Sequence, residues 1–371
     1  MNSDDAAPIS KLTDVLDAHR NEKHIIVLQD FPDPDAIASA YAHQIISAAF
    51  NIDCDIVHGG KVSHLQNIAL VKLLGIELMH FDCSADMKIY SGAVFVDNQG
   101  TTAEEILKHL EEAAVPILIV VDHHELQHRL EPAFQDIRRD IGAASTIYAE
   151  YLEHGLVEMD KSHREHVKVA SALTHGIITD TNGFIRATPE DFQAAAFLSR
   201  FRDPDLLEQI MNQARSKKTM EVIHRALEAQ VTAEGFSIAG VGFIRAEDRD
   251  AIPQAADFMV TEENIHTAVV YGIVTGAEME EAIVGSLRTT KITLDPDEFL
   301  KEIFGKDSAG RYYGGGKTSA GGFRIPIGFL SGGEEEDHRE RKWKVFNEQI
   351  QKKLFARIGV KTLPAVRQAS G

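Results

Sequence analysis

Asp33 and Asp35 stand two residues apart in the stretch Gln29-Asp30-Phe31-Pro32-Asp33-Pro34-Asp35, so in an extended segment both carboxylates face one side. Two like charges at a buried turn repel unless a cation lies between them. Three more groups of the same kind follow: Asp97 closes one apolar run, Asp122-His123-His124 closes a second, and Asp180 closes a third. Carboxylates with imidazole and no thiolate suit Mn²⁺ or Mg²⁺, and accommodate Zn²⁺, Fe²⁺ or Co²⁺. Two such ions ~3.5–4 Å apart clamp a phosphoryl group, polarise it and turn a bridging water into hydroxide. Asp97 stands alone at its strand end and is the natural bridging ligand. His123 serves as a neutral metal ligand. His124, on the opposite side of an extended segment, meets the substrate or leaving group as an acid or hydrogen-bond donor.

Each group has a plainer explanation when taken singly. An Asp at a strand end is usually a turn former or helix cap, and two adjacent histidines can be a solvated surface pair. Joint occurrence decides for metal: one Asp-x-Asp turn, two further strand-end Asp, and Asp-His-His after the most apolar strand.

The elements that must position these groups are short strands alternating with helices. His24–Leu28, Gly92–Val96 and Pro116–Val121 are apolar runs of strand length, and Ile52–Val57 reads as a further strand. The segments between them read as helices, which predicts a mostly parallel sheet with crossover connections. Ligands bind such sheets at the carboxyl ends of the strands. Thr101 or Thr102 can cap the helix that carries Glu104 and Glu105 in its first turn, and Ser145 or Thr146 the helix through Leu152. Lys168–His175 reads as a buried helix running into a further segment that ends at Asp180-Thr181. Thr188-Pro189-Glu190-Asp191 marks a helix start.

From Val231 the texture changes to a second, smaller α/β domain with strands at 236–243, 267–274 and 281–288. It ends in Gly314-Gly315-Gly316-Lys317-Thr318-Ser319-Ala320-Gly321-Gly322-Phe323. The expected organisation is a catalytic domain over 1–200, a helical linker over 201–230, the smaller domain over 231–330 and a charged helical tail over 331–371. The tail's apolar stripe, Trp343, Val345, Phe346, Ile350 and Leu354, packs on the body or on a second subunit, which leaves a homodimer open.

With 371 residues, 44% hydrophobic and 26% charged, the chain suffices for two cores. No secretory leader is visible and no apolar run approaches ~18 residues. Cys54 and Cys83 lack metal-type spacing and fit buried free thiols in a reducing compartment. The expectation is a cytoplasmic protein without membrane contact. A net charge of −19 argues against long duplex DNA, whose binding rests on Lys and Arg. It leaves room for a small phosphorylated nucleotide or short oligonucleotide.

Along the chain, Pro32-Asp33-Pro34-Asp35-Ala36, the Val96-Asp97 strand end, Asp122-His123-His124 and Asp180-Thr181 resemble, in that order, the four motifs of the DHH phosphoesterase superfamily. Gly314 to Gly322 resembles the signature of the DHH-associated C-terminal domain, a pairing shared by RecJ-like exonucleases and the nanoRNase/pAp-phosphatase group. The resemblance spans roughly Ile25 to Phe323, and the size matches the nanoRNase type better. It implies a two-manganese hydrolase with its active site in the cleft between domains. Asp33 and Asp97 would hold one ion, and Asp35, Asp97, His123 and Asp180 the other. Arg288, in Ser286-Leu287-Arg288-Thr289-Thr290, would grip a substrate phosphate. Gly314, Gly315 and Gly316 would approach it as a glycine-rich loop. Two positions depart from the family. Gln29 stands where a histidine ligand is usual, and its carbonyl is a weaker donor to transition metals than imidazole. Lys317 stands where histidine usually follows the glycines, and it remains a good phosphate partner.

Gly316-Lys317-Thr318 is no P-loop, because Arg311 occupies the place of the first glycine. The expected activity is therefore two-metal hydrolysis, with a bridging hydroxide, of short oligonucleotides, dinucleotides or 3′,5′-bisphosphonucleotides. The alternatives are a cyclic-dinucleotide phosphodiesterase, a pyrophosphatase-like hydrolase, and a degenerate nucleotide-sensing protein.

Overall fold

The structure is a computed structural model that describes residues 6–62, 65–127, 129–212, 215–276, 281–317, 319–333 and 335–360. Thr318 of the glycine-rich segment and the tail beyond residue 360 lie outside the described residues. The chain divides into two compact units, Met1–Gln213 and Ala214–Gly371.

The first unit holds strands β1 (Lys23–Val27), β2 (Asp53–His58), β3 (Leu78–His80), β4 (Gly92–Val96), β5 (Ile117–Asp122) and β6 (Phe134–Ile137). They form one parallel sheet in the order β3-β2-β1-β4-β5-β6. Its helices are α1 (Ala6–Ala18), α2 (Pro34–Ala49), α3 (Leu65–Leu74), α4 (Glu104–Glu112), α5 (Ala144–Glu153), α6 (Arg164–Asp180), α7 (Pro189–Leu198) and α8 (Pro204–Met211). Ile26, Val94, Val96, Ile119 and Val121 enter the core on one face of the sheet. Ile25, Val27, Ala93, Phe95 and Val120 enter the core on the other. A sheet covered on both faces is why its central strands read as unbroken apolar runs. The strand order reverses between β1 and β4, and the crevice beyond that reversal is where such a fold receives a ligand.

Four expectations need correction. Asp180 ends a helix, because Arg164–Asp180 is continuous α6, and Gly176-Ile177-Ile178 belongs to its last turns. Neither Thr101 nor Thr102 caps α4, whose N-cap is Ala103 without a side-chain bond. Neither Ser145 nor Thr146 caps α5, since both lie inside it. Cys54 is buried but Cys83 is exposed, and both are free. Thr188 caps α7 as expected, in a full capping box with Asp191.

The second unit carries β7 (Val231–Ala233), β8 (Phe236–Arg245), β9 (Thr267–Thr275), β10 (Glu281–Thr289), β11 (Gly314–Lys317) and β12 (Ala320–Pro326). Its mixed sheet runs β11-β12-β10-β9-β8-β7, with only β8–β9 parallel. Helices α9 (Lys217–Ala229), α10 (Ala251–Met259), α11 (Pro296–Phe304) and α12 (Glu336–Arg357) complete it. The stretch expected as a linker is two helices: α8 packs on α3 and α6, and α9 on α10 and β8. The tail helix α12 packs on its own unit through Ile350, Leu354 and Phe355. Buried Lys342 pairs with buried Glu281 at 2.6 Å and fixes it further. Among the described residues no helix is long and apolar enough to cross a membrane.

Candidate metal centre

The turn after β1 is built by local rules. Asp33 is the N-cap of α2, accepting the Ala36 N–H at 2.9 Å, and Pro34 follows in the first turn. The second Asp33 oxygen accepts the Gln29 side-chain amide at 3.2 Å. Asp35, fully buried in the first turn of α2, reaches across to the start of α5. Its carboxylate accepts the Ala144 N–H at 2.7 Å and the Ser145 N–H at 2.8 Å. It supplies the cap that α5 lacks from its own side chains, as an anion at a helix N-terminus.

Asp97 follows β4 with φ of 57°. Asp is among the few residues that visit this left-handed region, and such strain clusters at functional sites. The side chain is buried, and neither carboxylate oxygen has a hydrogen-bond partner. His123 Nε2 is likewise unpartnered by hydrogen-bond geometry. It lies 3.2 Å from Asp180 Oδ2, 3.4 Å from Asp97 Oδ1 and 3.9 Å from Asp35 Oδ2. Asp180 arrives from the C-terminal end of α6, where the helix dipole disfavours an anion. Gly176 makes that approach feasible: a Cβ there would sit 2.2 Å from Ser145 Oγ and 3.1 Å from Asp35 Oδ1.

Charge in this cluster is not balanced by the protein. Burial, then Asp180, pushes the Asp35 carboxyl up to about 7. Burial also drives Asp97 well above the usual carboxylate range, and raises Asp33. For His123 burial acts downward, but Asp180 and Asp97 outweigh it and push the imidazole up to about 12. The protons held this way mark where a cation would sit.

The donor set fits a hard divalent ion. Ligand atoms of Asp35, His123 and Asp180 lie within 4.8 Å of one another, and so do those of Asp97, His123 and His124. Three facing oxygen donors, one unpartnered imidazole nitrogen and no thiolate suit Mn²⁺ or Mg²⁺. Asp33 belongs to neither set, and its two oxygens accept from Ala36 and Gln29. A further group, His19, Glu22 and His24, lies at the opposite end of β1, where both imidazoles bond Glu22.

Asp122, not counted among the site residues from sequence, organises the histidine pair. Its Oδ1 accepts His124 Nδ1 at 2.8 Å and the His123 N–H at 2.8 Å, while Oδ2 accepts the Gln99 amide at 2.7 Å. Burial would raise the Asp122 carboxyl, but the bonds from His124 and Gln99 hold it below its ordinary value. The signal was present in the adjacency of Asp122 to His123-His124 and in Gln99 two residues after Asp97.

In the second unit, Gly314–Lys317 of the glycine-rich segment is the edge strand β11 and not a loop, and Gly321 and Gly322 lie in its neighbour β12. Gly314 and Gly316 lie under α11: a Cβ on Gly314 would come 3.0 Å from the Leu300 Cβ, and one on Gly316 2.8 Å from that of Pro296. Gly316 N–H donates to Asp297, and Gly315 stands between them in β11. Lys317 is exposed at the strand end. Arg288, on β10, donates to Asp257 at 2.5 Å and to Ser286 at 2.8 Å.

No family model matches the chain. It is 33% identical over 332 residues to an uncharacterised protein of Methanocaldococcus jannaschii, covering 89% of this chain and 63% of that one. It is 28% identical over 153 residues to a probable manganese-dependent inorganic pyrophosphatase of Streptococcus pyogenes serotype M1, covering 40% of this chain and 45% of the relative. The chain thus spans less than two thirds of the length of these curated relatives. An exopolyphosphatase-related protein from Bacteroides fragilis superposes with a TM-score of 0.65 at 17% identity, over 96% of this chain and 98% of that one. That likeness is one of fold: a parallel six-stranded unit followed by a mixed-sheet unit.

Proposed function

We propose that the protein is a metal-dependent phosphoesterase acting on short oligonucleotides, dinucleotides or 3′,5′-bisphosphonucleotides. The observation that carries this reading is the pair of buried, unpartnered Asp97 oxygens facing the unpartnered His123 nitrogen. Such groups are costly to bury unless a cation satisfies them. Asp35, Asp97, His123 and Asp180 would hold divalent metal, Mn²⁺ first, with Asp33 and Gln29 at the margin of a second position. Bound there, the metal supplies Lewis-acid polarisation of a phosphoryl oxygen and a more acidic water.

The chain's own groups do the rest. Asp122 fixes the His124 ring through Nδ1, so Nε2 points away from Asp122 and, in the imidazolium form, carries the proton a leaving alkoxide takes. Asp35 is held rigidly by two backbone N–H groups, so its oxygens do not swing when charge arrives. The segment Gly314–Lys317 and Arg288 would supply contacts to the substrate phosphate in this reading. The match to manganese-dependent pyrophosphatases favours a second reading, hydrolysis of inorganic pyrophosphate. Purified protein with added Mn²⁺, offered dinucleotides, pAp and pyrophosphate side by side, separates the two. Turnover of none of them, with Asp97→Ala indistinguishable from wild type, sinks both.

A further inference from the structure

Next to the carboxylate cluster, the first unit carries an open groove of about 410 Å³ running from Asp33 and Thr179 past Phe31 to Lys61 and Asn67. That volume lies within the ~300–1,000 Å³ of small-molecule sites. Its walls are held by specific packing. The segment His58-Gly59-Gly60-Lys61 leaves β2 at the same sheet end as the turn after β1, and its glycines touch that turn. A Cβ on Gly59 would lie 2.3 Å from the Asp30 carboxylate, and one on Gly60 2.1 Å from the Asp30 carbonyl oxygen. Asn67, buried on α3, donates to the Pro32 carbonyl at 3.0 Å. The Phe31 turn is therefore held against the Lys61 loop at its glycines and against α3 at Asn67.

What the groove presents is unusual for a structural surface. Phe31 is 71% exposed beside the cluster, although α2 behind it is almost wholly buried. No ion pair or hydrogen bond engages the Lys61 ammonium among the described residues, in a chain with net charge −19. A flat apolar ring and an unpaired cation at one groove match a nucleotide, with a base to stack and a phosphate to pair. Inorganic pyrophosphate would use Lys61 and leave Phe31 without a role.

We propose that Phe31 and Lys61 form a nucleotide subsite, Phe31 stacking the base and Lys61 pairing with a phosphate. The proposal rests on the phosphoesterase reading for its substrate, but binding alone can test it. The full chain and its Phe31→Ala, Phe31→Trp and Lys61→Gln variants are titrated calorimetrically with AMP and, separately, with pyrophosphate. Phe31→Ala should weaken AMP about ten-fold or more, leave pyrophosphate unchanged, and be rescued by Phe31→Trp. Lys61→Gln should weaken both ligands. With a dinucleotide substrate, Phe31→Ala should raise KM with kcat retained. Equal AMP affinity in wild type and Phe31→Ala, or equal losses for AMP and pyrophosphate, overturns the subsite. Absence of turnover in wild type, with the AMP difference intact, overturns the phosphoesterase reading and keeps the subsite.

Discussion

Asp122 holds His124 by its Nδ1 at 2.8 Å, and with the same oxygen it accepts the backbone N–H of His123. One buried carboxylate thus sets the orientation of both histidines without facing the substrate itself. Asp122→Asn keeps the shape, but with its oxygen toward the two histidine donors its NH₂ meets the Gln99 amide, so that face of the contact turns repulsive. Groups that orient metal ligands typically cost ~10–100-fold in metal affinity or activity when changed. The expected result is a loss of that order in Mn²⁺ affinity by calorimetry, with kcat falling and KM for substrate nearly constant. Unaltered Mn²⁺ affinity would remove Asp122 from the positioning role.

Asp97 predicts an opposition between stability and function. In metal-free protein its two unpartnered oxygens are buried, and burial, with Asp35 and Asp33 adding to it against His123, disfavours their charged form. Asp97→Asn removes that charge, and Asn also tolerates the left-handed backbone. Metal-free Asp97→Asn should therefore be more stable than wild type, by roughly 1–3 kcal/mol. Added Mn²⁺ should raise the wild-type Tm, by an amount equivalent to ~2.7 kcal/mol at one hundred times Kd, and leave the variant unmoved. Melting curves in EDTA and in Mn²⁺ decide it; an equal Mn²⁺ shift in both proteins contradicts the assignment.

Gln29 spends its amide on Asp33 at 3.2 Å, so this corner of the site is closed by a hydrogen bond. Gln29→His replaces that amide with an imidazole, a stronger donor to Mn²⁺. If a second ion binds at this corner as proposed, the variant should hold it about ten-fold more tightly, read as metal retained per chain after desalting. The same stoichiometry and affinity as wild type would show that residue 29 is not at a metal position.

How much of this is legible in the residues differs by element. Strands β1, β4 and β5 can be read because burial on both faces writes continuous apolar runs, and β2 keeps only a short one at Ile56-Val57. Edge strands β3 and β6 span three and four residues with polar positions, too short to leave a pattern. Asp35, Asp97, His123 and Asp180 converge as the motif order suggests, but Asp180 does so from a helix. The Gly176-Ile177-Ile178 sequence favours a strand or a break locally, and packing of α6 against Ser145 overrides it. The cap on α5 was illegible for another reason. It comes from Asp35, 109 residues before Ala144, and local capping rules see only neighbours.

His43 makes a prediction about acid that is separate from the metal ligands. It is fully buried on α2, its Nδ1 meets the Tyr148 hydroxyl at 3.1 Å, and burial, then nearby His24, pushes it down to about 3. The unfolded chain protonates this histidine near pH ~6.5. Between pH ~6.5 and about 3 the unfolded state therefore binds a proton that the folded state refuses. The stability from a neutral His43 is fully present above that window and is lost as pH falls through it, at up to ~1.4 kcal/mol per pH unit. Other groups titrate in the same range, so the informative quantity is the difference between wild type and His43→Gln, which retains an acceptor for Tyr148. At pH 7 wild type should be the more stable in urea, and the gap should shrink steadily toward pH 5. Parallel pH dependences for the two proteins would mean that His43 is already protonated in the fold, and that its burial is compensated by a partner the hydrogen-bond geometry does not show.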